Sequence, residues 1–192
     1  RCSRDWSSDV CFSDLPIFQD TIALLKDRVP GLQLVLPTVP TVAELVKATS
    51  WPVPSVVVED VREKHAAFAA STAALAASGT VSVELGLART PTVIAYKVHP
   101  ATALWVRMLV KVRHASLANI IANREIVPEF LQERCTPELL APAVASLLVD
   151  GEARTRQIGA VTEALLRLSP AGDAPSMQAA AVVLDEIGWR GP

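Results

Sequence analysis

Ser78, Gly79, Thr80 and Glu84 have the residue types and spacing that suit work on an anion. They end the apolar run Ala73-Ala-Leu-Ala-Ala77 and open Val81-Ser-Val-Glu84, which reads as a short buried strand, a glycine turn and the first turn of a helix. Such a junction aims backbone N–H groups and the positive end of a helix dipole at whatever lies above the sheet, and an anion is the natural occupant. With Thr80 as N-cap, Glu84 falls one place beyond the capping-box position, so its carboxylate is free to accept hydrogen bonds from a ligand hydroxyl. A lone glycine without G-x-G-x-x-G is a weak motif. The competing reading is a plain loop-to-helix transition with Glu84 solvated.

The elements that must position these residues alternate. Ile17, Ile22, Leu24, Leu25 and Val29 suit the buried face of a helix stopped by Pro30-Gly31. Residues 32–36 read as a strand closed by Pro37. Residues 41–48 read as a helix with Thr41 as N-cap and Glu44 at the capping-box position. Valine-rich 54–58 reads as a strand buried on both faces. Helix 61–70, strand 72–77, helix 81–88 and strand 92–95 follow. This alternation predicts an α/β fold, a mainly parallel Rossmann-like sheet with helices on both faces. Ligands of such sheets bind beyond the carboxyl ends of the strands, where Ser78 to Thr80 fall.

Beyond the sheet, Leu104, Trp105, Met108, Leu109 and Val112 recur at helical spacing within 101–112, with Arg107 and Lys111 on another face. Such a helix packs on its own domain or touches a membrane surface. Residues 137–149 and 152–168 read as further helices, 169–175 as a linker and 176–187 as a last helix.

The net charge of −2 hides an asymmetry. No acidic residue lies between Leu85 and Arg124, whereas Arg89, Lys97, Arg107, Lys111, Arg113 and Arg124 are basic. An anionic ligand or surface, or simply a solvated basic face, accounts for this. Cys2, Cys11 and Cys135 form no C-x-x-C and have no histidine at zinc spacing, so a reducing compartment and no metal site are expected. The uncharged run 66–83 is mostly alanine with Ser71, Thr72, Ser78, Gly79 and Thr80 inside it, which fits a buried helix end plus strand better than a membrane span. Residues 1–15 show neither periodicity nor the apolar core of a signal peptide. They resemble a translated sequencing adapter joined to a reading frame and are set aside as non-native. The expected division is therefore 1–15, a nucleotide-sugar-binding domain over 16–168, and a linker and C-terminal helix over 169–192.

Four blocks, Ala77-Ser-Gly-Thr-Val-Ser-Val-Glu84, Pro91-Thr-Val-Ile-Ala-Tyr-Lys97, Ser116-Leu-Ala-Asn-Ile-Ile-Ala-Asn-Arg124 and Val127-Pro-Glu-Phe-Leu-Gln-Glu133, resemble in order and spacing the carboxyl-terminal half of the lipid-A-disaccharide synthase family. The resemblance runs from about Pro16 to about Leu168. It implies the donor-binding domain of a GT-B glycosyltransferase, two Rossmann-like domains facing across a cleft. It further implies transfer of 2,3-diacylglucosamine from UDP-2,3-diacylglucosamine to 2,3-diacylglucosamine 1-phosphate, at the cytoplasmic face of a Gram-negative inner membrane. No cofactor, metal or nucleic-acid partner is implied. Ser78, Gly79 and Thr80 would lie at the diphosphate and Glu84 at the ribose hydroxyls. Asn119 and Arg124 would line the same cleft, Arg124 offering a fork of donors to phosphate oxygens.

The chain departs from the family pattern where Pro-Asn and Gly-Arg become Ala118-Asn119 and Asn123-Arg124. Asparagine tolerates the left-handed conformation that glycine adopts. The family's Gly-Ser-Arg motif is expected just before Pro16, where the adapter-like run stands, and the acceptor domain with its general base further upstream. A fragment without these groups is expected to be inactive as a transferase. The alternatives are a non-catalytic nucleotide-sugar-binding module and another GT-B enzyme such as a UDP-sugar epimerase, which shares the donor fold but not the blocks from Ser116 to Glu133.

Overall fold

The computed structural model describes residues 15–77, 79–97, 114–168 and 175–188. In chain order the elements are α1 (Leu15–Lys26), β1 (Leu34–Pro37), α2 (Pro40–Ala48), β2 (Ser55–Val58), α3 (Val61–Ala70), β3 (Ala74–Ala76), α4 (Thr80–Leu87), β4 (Thr92–Tyr96), α5 (Leu117–Ala122) and β5 (Glu129–Leu131). A short 3-10 turn at Gln132–Arg134 leads to α6 (Pro137–Val149), α7 (Gly151–Leu166) and α8 (Pro175–Glu186). The expected helix over 101–112, with Trp105 and the cations Arg107 and Lys111, lies outside the described residues, as does Arg113. No helix among the described residues is long and apolar enough to cross a membrane.

Among the described residues every strand pairing is parallel, and helices surround the strands, which is the α/β arrangement read from the alternation. β4 lies between β3 and β5, with Ala74 opposite Thr92 and Ile94 opposite Glu129. β1 pairs with β2, Leu34 opposite Ser55, and the two ladders are not hydrogen-bonded to each other. The period-2 alternation of β4 divides the core. Val93 and Ala95 enter a cluster with Ile22 and Leu25 of α1 and Leu140, Val144 and Leu147 of α6. Ile94 points the other way, into Phe68 of α3, Leu85 of α4, Ala118 of α5 and Val161 and Leu165 of α7. Each large aliphatic side chain buried this way contributes about 1.5–3 kcal/mol relative to exposure.

Local signals explain most helix ends. Asp60 caps α3 by accepting from Arg62 N–H at 2.7 Å, and Asp150 caps α7 by accepting from Glu152 and Ala153 N–H. Arg154 reaches back from α7 to donate to the Leu147 and Leu148 carbonyls at 2.9 and 3.0 Å, satisfying the open end of α6. Gln157 uses its amide as a peptide mimic: Oε1 accepts from Thr92 N–H at 2.7 Å and Nε2 donates to Thr92 carbonyl at 3.0 Å. The start of β4 is thereby fastened to α7.

Several expectations are corrected. Leu24 is exposed, and its place on the buried face of α1 is taken by Thr21, whose hydroxyl donates to the Ile17 carbonyl and so carries no unpaired donor inside. Thr41 does not cap α2. Val39 holds that position without a side-chain bond, Pro40 supplies the preset φ of a first helical turn, and Glu44 pairs with Lys47 instead. β2 is not buried on both faces, because it is the outer member of a two-stranded ladder, and Val56 is 62% exposed. Thr80 is the first residue of α4 rather than its cap, and Gly79 is the cap.

Candidate functional site

The junction between β3 and α4 is formed as its residues dictate. β3 ends at Ala76, Gly79 adopts φ 149° and ψ −160°, and α4 starts at Thr80. That backbone region is essentially closed to residues with a Cβ, although a Cβ on Gly79 would meet no atom within 4 Å. Glycine is required here by conformation and not by space. Gly79 offers no side-chain cap; Ser82 N–H donates to the Gly79 carbonyl at 3.2 Å, and among the described residues the Thr80 and Val81 N–H groups find no acceptor, as at any uncapped helix start. The Ser82 hydroxyl donates to the Gly79 carbonyl at 2.7 Å and steadies the turn. Thr80 is exposed, and Ser78 lies outside the described residues.

Glu84 stands just over one turn into α4 and is 31% exposed on its side chain. Its Oε2 is buried and lies 2.6 Å from Nζ of Lys64 on α3, an ion pair whose angle falls outside hydrogen-bond geometry. Lys64 also sits 5.9 Å from the Phe68 ring centre. One oxygen of Glu84 is thus held by α3, and the other has no hydrogen bond among the described residues. The sequence reading did not single out Lys64. Its signal was faint, a cation two residues after Arg62, whose N–H the Asp60 cap holds.

Asn119 is not where the resemblance would put a cleft-lining amide. It is wholly buried. Its Nδ2 donates to the Val127 carbonyl at 2.8 Å and to Glu129 Oε1 at 2.7 Å, while Oδ1 accepts from Ile126 and Val127 N–H at 2.7 and 2.9 Å. An amide has two donors and two acceptor lone pairs, so all its capacity is used inside the protein. Asn119 therefore shapes the loop that carries Arg124 instead of lining the cleft with its amide.

Arg124 is exposed and makes no ion pair among the described residues. The turn before it forms as expected: Asn123 takes the left-handed conformation at φ 50°, ψ 31°, closing α5, and Arg124 N–H donates to the Asn119 carbonyl. Packing between α4 and α5 brings this loop to the same side of β4 as Glu84.

Glu129 is a residue that sequence reasoning passed over. It is buried, and its carboxylate accepts from Ala115 N–H at 2.9 Å, Ser116 N–H at 2.7 Å and Asn119 Nδ2 at 2.7 Å, with His114 Nδ1 3.8 Å away. Its signal was an acid inside the apolar run Val127–Leu131, which is costly to bury unless such partners are in place.

Comparison with known proteins fits this geometry. A family model described as Lipid-A-disaccharide synthetase matches residues 5–179, a span that begins within residues 1–15. Lipid-A-disaccharide synthase of Rhodospirillum centenum is 50% identical over 178 residues, covering 92% of this chain and 44% of that protein. Those of Paramagnetospirillum magneticum and Gluconobacter oxydans are 47% and 39% identical, covering 88% and 89% of this chain and 44% and 42% of their own. The chain spans less than half the length of these curated relatives. With nearly its whole length matched by one family model and by relatives this similar, the chain belongs to the lipid-A-disaccharide synthetase family.

Proposed function

We propose that this chain is the donor-nucleotide half of a GT-B glycosyltransferase, which transfers 2,3-diacylglucosamine from UDP-2,3-diacylglucosamine to 2,3-diacylglucosamine 1-phosphate. The observation that carries the reading is the junction at Gly79, where α4 begins without a side-chain cap and carries the Glu84 carboxylate just over one turn on. The diphosphate, with Ser78 and Thr80 beside it, accepts from the first N–H groups of α4 at the positive end of the helix dipole. The free oxygen of Glu84 accepts from a ribose hydroxyl while Lys64 holds the other. Arg124 supplies paired donors to phosphate oxygens. No residue of this chain is assigned a bond-making role, and the general base belongs to the acceptor domain. The acyl chains of both substrates make peripheral contact with the cytoplasmic face of the inner membrane part of the same reading.

The test is calorimetric titration of UDP into the full-length protein and its Glu84→Gln variant. Saturable binding weakened by about 1–3 kcal/mol in the variant is expected, the usual cost of losing a charged hydrogen-bond partner. Equal UDP affinity in the two proteins would remove Glu84 from the site.

A further inference from the structure

The register of the β3-β4-β5 ladder aligns residues at its carboxyl end that lie far apart in the chain. Ala76 of β3 pairs with Ile94 of β4, and Tyr96, which ends β4, pairs with Leu131, which ends β5. Carried three places past Ala76 and Ile94, the first register sets Lys97 opposite Gly79. Carried one place past Tyr96 and Leu131, the second sets Lys97 beside Gln132, where φ 53° opens the 3-10 turn and ends the ladder. Neighbouring strands lie about 4.7–4.9 Å apart, so this register puts the Lys97 backbone about one strand spacing from the Gly79 turn. Lys97 is exposed and makes no ion pair among the described residues, and no acidic residue stands in its own stretch between Leu85 and Arg124.

We infer that Lys97 is a further phosphate-binding residue of the donor site, an inference that deepens the donor-nucleotide reading of the Gly79 junction and rests on it. Ligands of parallel sheets bind at the carboxyl ends of the strands, and Lys97 follows directly on β4, the middle strand of this ladder. Alternation along β4 gives Lys97 the parity of Val93 and Ala95, which face α1 and α6. Glu84 stands on α4, which packs on the opposite face, and its charge is already met by Lys64. Lys97 is therefore not placed to be neutralised by the carboxylate of the site. A diphosphate carries more than a single negative charge, and Arg124 approaches from the Glu84 side of β4. Lys97, a point charge on a flexible stem, supplies the second cation from the other face, so that the phosphates lie between the two while the Thr80 and Val81 N–H groups meet them from the helix start.

The experiment is calorimetric titration of UDP, and of uridine as the phosphate-free probe, into the full-length protein and its Lys97→Gln, Lys97→Arg and Glu84→Gln variants, with urea midpoints as the check on folding. Lys97→Gln is expected to weaken UDP binding about tenfold to a hundredfold, the effect of losing one charged hydrogen-bond partner, while uridine affinity and the urea midpoint stay at their wild-type values. Lys97→Arg keeps the charge and is expected to bind UDP more tightly than Lys97→Gln. UDP binding that Glu84→Gln weakens and Lys97→Gln leaves unchanged would overturn this inference and spare the donor reading. Equal weakening of UDP and uridine by Lys97→Gln, or UDP binding by Lys97→Arg no tighter than by Lys97→Gln, would also overturn it, since the lysine would then not act on phosphate through its charge. Absence of saturable UDP binding to the wild-type protein would overturn both readings together.

Discussion

Asn119 Nδ2 donates to Glu129 Oε1 at 2.7 Å, and both side chains are buried. This bond joins α5 to β5 and orders the intervening loop, Asn123 to Pro128, through three more bonds from the same amide. Asn119→Ala would leave a buried carboxylate short of a donor and the Ile126 and Val127 N–H groups without an acceptor. A loss of about 3 kcal/mol or more against urea is expected. Asn119→Asp should be worse at neutral pH, since two carboxylates would then face each other. Equal stability of wild type and Asn119→Ala would show that the network contributes nothing.

Gly79 sits in a conformation that residues with a Cβ seldom adopt. Gly79→Ala should cost about 1–3 kcal/mol in backbone strain and weaken UDP binding as the turn re-forms. Urea unfolding and calorimetry on the same protein separate these effects. Unaltered stability together with unaltered UDP affinity would contradict the role given to this turn.

Gly86 is needed for a different reason. A Cβ there would come within 2.9 Å of Leu165 Cδ1 and Val161 Cγ1, so Gly86→Ala overpacks the contact between α4 and α7 at about 1–3 kcal/mol. Adding Val161→Ala should relieve part of the clash. The double variant is expected to be more stable than the sum of the single losses, and strict additivity would place the strain elsewhere.

Asp150 accepts from the Ala153 and Glu152 N–H groups, and these bonds, the one from Ala153 first, hold its carboxyl below the ordinary aspartate range. A depressed folded-state pKa means that the stabilisation is present above the unfolded-state pKa and is lost as pH falls through the folded value. Asp150→Asn keeps an acceptor at the cap and removes the titration. Urea midpoints of the two proteins should therefore converge as pH falls below the ordinary aspartate range, and a constant difference between them would assign that acid dependence to other carboxylates.

Much of the architecture was legible because it is written in short range. The alternation of apolar runs and helical spacing marked the described elements other than α5, β5 and the 3-10 turn, Gly79 marked its turn, and Asn123 marked a left-handed position that the structure adopts. What sequence could not supply is which way a polar side chain turns once the elements meet. Asn119 faces inward because Glu129 and the Val127 peptide arrive beside it from a separate strand. Leu24 and Val56 face outward for the converse reason, as nothing arrives to cover them. Lys64 reaches Glu84 only after α3 and α4 have packed, a tertiary event that no local pattern announces.

The bond between Gln157 and Thr92 has a consequence for how the chain is made. Sixty-five residues separate the two. As the protein leaves the ribosome, the Thr92 peptide emerges well before the side chain that will satisfy it, and until then water must serve as its partner. Packing at the first residue of the central strand is completed only when α7 has been synthesised and folds back onto it. A ribosome stalled ahead of residue 157 would therefore display a nascent sheet whose middle strand is still wet at its leading end.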